Sequence, residues 1–160
     1  MVGQMIADIE ELVCSAVEEV FSTMLSKTVE REPREDPNID GEAQIACSVG
    51  FVGELSGVVC IYTTKTHAKS ITGLLLGLAP DEEHSDEMVN DAMGEIANMV
   101  GGHFKSRLAD RGHLCRLSIP SIIRGSNFTI ESVSDTMRQV VGFQSDGQHM
   151  TVEVILKPTR

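Results

Sequence analysis

The chain has 160 residues, 41% of them apolar, and a formal net charge of -11 at neutral pH, which predicts one domain over residues 1–160, able to bury a core without disulfides or metals. With no Lys/Arg cluster to offset the acidity, the phosphate attraction that drives nucleic-acid binding is missing. No leader pattern and no run of about 18 apolar residues is present, so a cytoplasmic protein without a membrane span is expected.

The first predicted element is a helix over Met5 to Leu25, where Ile6, Ile9, Leu12, Val13, Ala16, Val17, Val20, Phe21 and Met24 recur at helical spacing between acids. Lys27 to Glu32 reads as a short charged strand, followed by a loop marked by Pro33, Pro37, Asn38 and Gly41. Glu42 to Val52 and Glu54 to Thr63 alternate small or apolar residues as paired strands do, with a tight turn expected at Gly53. Thr66 to Leu76 is a second helix, with Thr66 placed to cap it and Gly77 to end it. The longest helix is expected over Ser85 to Asp110. Beyond it, strands are predicted around Leu114 to Ile119, closed by Pro120, then at Phe128 to Val133, Arg138 to Gln144 and His149 to Leu156. Asp146-Gly147 is a hairpin signal between the last two. Helices layered on a mainly antiparallel sheet, a two-layer α+β sandwich, accommodate this order.

Within Ser85 to Asp110 the apolar stripe is Val89, Met93, Ile96, Val100, Phe104 and Leu108, which commits one face to a core. At about 100° of rotation per residue, Asp91, Glu95, Asn98 and Gly102 fall within roughly 60° of one another on the opposite side. A solvated face is the ordinary reading of such a ridge. Against it, the sequence places Gly101-Gly102 inside the helix, where each glycine costs about 1 kcal/mol relative to alanine, just where the ridge continues. Positions without side chains beside an exposed Asn suit a surface on which another backbone docks.

Asp91, Glu95 and Asn98, then 21 residues and Pro120, reproduce the pattern of the CheC/CheX chemotaxis phosphatases: an acid or Ser, three residues, Glu, two residues, Asn, and a later Pro. The chain resembles the single-site CheX type of that family, including the surrounding VNDAMGEIANMVGG and LSIPSIIRG. Glu87 and Asn90 form a second Glu-x-x-Asn with no Pro at the right distance and read as a decoy. No duplicated motif helix is evident, so one site per chain is expected.

The resemblance implies a phosphatase acting on the phospho-aspartate of a CheY-like response regulator. Glu95 and Asn98 would be its catalytic residues: Asn98 enters the receiver's active site to orient water, and Glu95 pairs with the receiver's lysine. It also implies a homodimer through sheet edges, for which the strand at His149 to Leu156 could serve. Mg2+ would be held by the receiver, leaving this chain without a cofactor of its own. Asp91 could lie at the edge of the contact or be a solvated acid, and Pro120 reads as structural. A competing possibility is a non-catalytic module that docks on a receiver or flagellar switch protein through the same ridge, since one fold serves both uses; a structural dimer with an incidental ridge is a third.

Other chemistries find little support. The five histidines, His67, His84, His103, His113 and His149, form no i, i+4 pair on one helix, unlike a zinc ligand set. Cys14, Cys47, Cys60 and Cys115 lack C-x-x-C spacing and read as buried thiols. No serine sits in a G-x-S-x-G elbow, and no P-loop pattern is present.

Overall fold

The computed structural model of the chain describes residues 2–35, 37, 44–79, 81–125 and 136–157, with side chains from residue 7 onward. In chain order these form α1 (Val2–Leu25), β1 (Glu30–Glu32), β2 (Gln44–Gly53), β3 (Gly57–Thr64), α2 (Lys65–Leu76), α3 (Asp86–Asp110), β4 (Cys115–Leu117), β5 (Ser121–Gly125), β6 (Met137–Ser145) and β7 (Gln148–Leu156). The strands make one antiparallel sheet in the order β1-β6-β7-β3-β2, with β4 and β5 both paired to the free side of β2. The helices pack on this sheet, as the alternation of strands and helical stripes predicts. No described helix is long and apolar enough to cross a membrane.

The core lies between the two layers. Ile45, Cys47, Val49 and Phe51 of β2 alternate toward it, as do Val59 and Ile61 of β3 and Val152 and Val154 of β7. They meet Val13, Val17 and Phe21 of α1 and Met93, Ile96, Val100 and Phe104 of α3. Phe51 and Phe104 meet edge to face, ring centroids 5.5 Å apart, the geometry aromatic quadrupoles favour. On the opposite face of the sheet, Ala46, Cys60 and Tyr62 form a second buried cluster. There the Tyr62 hydroxyl donates to Glu153 Oε1 at 3.2 Å, and Arg138 pairs with the same buried carboxylate.

Several local expectations needed correction. The cap of α2 is Thr64, not Thr66: its Oγ1 accepts from the His67 amide at 3.0 Å, because β3 runs straight into the helix. Gly77 ends that helix with a left-handed φ of 66°. The β2–β3 connection is Glu54-Leu55-Ser56 rather than a turn centred on Gly53, which still belongs to β2. His149 to Leu156 is not an edge, since β7 lies between β6 and β3; it is also buried without a break from Met150 to Leu156, so both faces of the sheet are covered along it. Strand β5 had no counterpart in the prediction, whereas the strand expected at Phe128 to Val133 lies outside the described residues. Asp146 and Gly147 do turn the β6–β7 hairpin, with φ of 50° and 76°, matching a type I′ turn.

Candidate functional site on helix α3

Helix α3 begins where Ser85 takes an extended conformation and its side chain accepts from the Met88 amide at 3.1 Å. Asp86 and Glu87 occupy the first turn and Arg107 the last, each on the favourable side of the helix dipole. All six residues of the apolar stripe are buried. Opposite them, Asp91 and Glu95 are exposed and Asn98 and Gly102 are half-buried, so the ridge read from the spacing exists. Among the described residues, the side chains of Asp91, Glu95 and Asn98 have no hydrogen-bond or ion-pair partner.

The second Glu-x-x-Asn stands in a different state. Asn90 Oδ1 accepts from Arg124 Nε at 2.7 Å, and the same guanidinium donates to the Asp86 carbonyl at 2.9 Å and pairs with its carboxylate at 3.3 Å. Asn90 is thus consumed in fastening β5 to the start of α3. Arg124 was not singled out in the sequence, because the partner of a lone Arg on an unforeseen strand cannot be read from spacing.

Pro120 is held against the ridge by an irregularity in the sheet. Phe51 of β2 pairs with Leu117 of β4, whereas Ser48 pairs with Ser121 of β5. Three residues, Ser118, Ile119 and Pro120, therefore oppose only two, Gly50 and Val49. This is a β-bulge, the device that bends an edge strand and re-aims its side chains. It splits one edge strand into β4 and β5 at the residue that cannot donate to the ladder. A Cβ built on Gly94 of α3 would lie 3.8 Å from Pro120 Cγ, so the proline packs directly on the motif helix. The two glycines after Asn98 serve different ends. A Cβ at Gly101 would sit 2.7 Å from Val49 Cγ1, so Gly101 lets α3 approach β2, while one at Gly102 would meet nothing within 4 Å.

The thiols offer no nucleophile. Burial pushes Cys14 and Cys60 up to about 12 and raises Cys47 and Cys115 as well, so the thiolate is scarce at neutral pH. Among the described residues no group of three or more His, Cys, Asp or Glu is placed to hold a metal ion.

Comparison with known proteins places this geometry. No curated protein sequence matches the chain. Among solved structures, a CheC-like superfamily protein from Shewanella sp. PV-4 superposes with a TM-score of 0.81 at 26% identity, over 94% of this chain and 98% of that one. The chemotaxis protein CheX from Desulfovibrio desulfuricans gives 0.78 at 25% identity, over 93% and 99%. The CheX of a Borrelia burgdorferi complex of CheX, CheY, BeF3 and Mg2+ shares the fold, with a TM-score of 0.77 at 23% identity over 92% and 97%. The family model described as "Chemotaxis phosphatase CheX" matches residues 45–144, which takes in all but the first residue of β2, both Glu-x-x-Asn copies, the bulge and most of β6. The match covers well over half of the chain, and on that extent the chain belongs to the CheX chemotaxis phosphatase family.

Proposed function

We propose that the chain hydrolyses the aspartyl phosphate of a CheY-like receiver domain through the α3 ridge, with Asn98 and Glu95 as its catalytic residues. The observation that carries the assignment is the contrast between the two asparagines: Asn90 is occupied by Arg124, whereas Asn98 points from the ridge with its amide unpaired among the described residues. Phosphoryl transfer asks mainly for positioning and charge neutralisation. A neutral amide accepts a hydrogen bond from the attacking water through its carbonyl without the repulsion a carboxylate meets near phosphate. The water oxygen bonds to phosphorus as the bond to the aspartyl oxygen breaks, releasing the carboxylate and inorganic phosphate. Glu95, one helical turn away, pairs with the receiver's lysine and so holds the two proteins in register. Mg2+ in this reading belongs to the receiver, and the reaction takes place in the cytoplasm.

The proposal includes a homodimer through strand edges. With β7 interior, the edges among the described residues are β1 at one end of the sheet and β4 with β5 at the other. Sedimentation at micromolar concentration is expected to give twice the chain mass, and a monomer contradicts this part.

The direct test mixes the protein with phosphorylated receivers from the same cell and follows loss of phosphate. Acceleration over spontaneous hydrolysis is the expected result. Binding without acceleration removes the phosphatase reading and leaves a docking module.

A further inference from the structure

Ile119 is 86% exposed, more than any other large apolar side chain described; Val52 and Leu114 follow at 66% and 65%. A single exposed aliphatic residue ordinarily needs no explanation. The setting of this one is unusual because the backbone that presents it is fastened on both sides. The Ser118 amide donates to the Gly50 carbonyl and the Gly50 amide donates to Ser118 Oγ, both at 2.8 Å, while Pro120 packs on Gly94. A mobile loop would sample many positions for its isoleucine, but this segment has few left to sample.

The bulge decides where the side chain goes. Leu117 and Ile122 pack against the core, and strict alternation from Leu117 would turn residue 119 toward the same side. The extra residue lets Pro120 take the place against α3 and leaves Ile119 in solvent. Gly94 precedes Glu95 by one residue and Asn98 by one turn, so the segment that projects Ile119 flanks the catalytic ridge.

We infer that Ile119 is an apolar docking residue for the phosphorylated receiver, held rigid by the bulge so that it buries against the receiver's surface as Asn98 enters the site. This rests on the phosphatase reading for the identity of the partner. It assigns to Ile119 affinity for the receiver and no part in the chemistry. A preorganised apolar knob beside a polar ridge loses little entropy on binding, and burying most of an isoleucine side chain corresponds to roughly 5- to 30-fold in affinity.

The test uses the full chain, wild type and Ile119→Ser, and a CheY-like receiver saturated with beryllofluoride and Mg2+ as a stable stand-in for the phosphorylated form. Calorimetric titration is expected to show binding weakened by about 5- to 30-fold in Ile119→Ser, with Ile119→Leu restoring most of it. Dephosphorylation kinetics are expected to show the same increase in KM with kcat within about twofold. Equal affinity of wild type and Ile119→Ser overturns the inference. So does a loss accompanied by halved mass in sedimentation, which would make Ile119 a contact between copies of this chain. Wild type that binds without hydrolysing defeats the phosphatase reading alone, because the titration still decides the role of Ile119. Wild type that does not bind the loaded receiver at all defeats both.

Discussion

In the proposed reaction Asn98 and Glu95 do different work, and their substitutions should separate. Glu95 is exposed and unpaired among the described residues, so Glu95→Ala should leave the fold intact and remove the charge proposed to pair with the receiver's lysine. The expected result is a raised KM, with the deficit shrinking at high receiver concentration and the wild-type advantage shrinking at high salt; a fall in kcat alone would reassign Glu95 to the chemistry. Far from the ridge, His67 sets a pH dependence of stability. Burial holds it below the ordinary imidazole value, although a hydrogen bond to the His149 backbone and the charge of Asp146 favour its charged form. The unfolded chain therefore takes up this proton first. The stability is complete above the unfolded value of about 6.5 and declines as pH falls below it. Melting wild type and His67→Gln at pH 7.5 and 5.5 should show the larger loss in wild type, and equal losses would remove His67 as the source.

Helix α3 was legible at the scale of one element because its pattern is long and periodic. Its start at Ser85, its buried stripe and its ridge all follow from spacing and capping chemistry. The edge strand beside it was not, because its course depends on a register slip against Val49 and Gly50, residues about 70 positions away in the sequence. Pro120 could be read as the end of a strand, but not as one side of a bulge with β5 beyond it. For the same reason the glycine pair looked like a single feature of the ridge. Gly101→Ala should press on Val49 Cγ1 and cost about 1–3 kcal/mol. Gly102→Ala meets open space and should stabilise the helix by roughly 0.5–1 kcal/mol while hindering approach of the receiver. Thermal melts and receiver titrations of the two variants check this pair, and a Gly101→Ala protein as stable as Gly102→Ala would contradict the packing assigned to α3 and β2.

The molecule is a sandwich that, among the described residues, keeps one helix face free of hydrogen-bond and ion-pair partners and stiffens the sheet edge beside it. Sequence alone also reached the class of fold and the family, because the three helices and six of the seven described strands follow from local patterns and the motif spans a fixed distance. It misplaced β7 as an edge, since strand order is set by pairing across the whole chain rather than within any one strand. The central claim is that Asn98, and not its near-copy Asn90, orients the hydrolytic water. The most direct test is the single-turnover rate of receiver dephosphorylation at saturating enzyme for wild type, Asn98→Ala and Asn90→Ala, each checked by thermal melting. Asn98→Ala should change stability by no more than about 0.5 kcal/mol and slow dephosphorylation by about 10- to 1000-fold. Asn90→Ala should lose about 1 kcal/mol of stability with its bond to Arg124 and retain the wild-type rate. Equal rates for wild type and Asn98→Ala, or a larger loss in Asn90→Ala, would contradict the account.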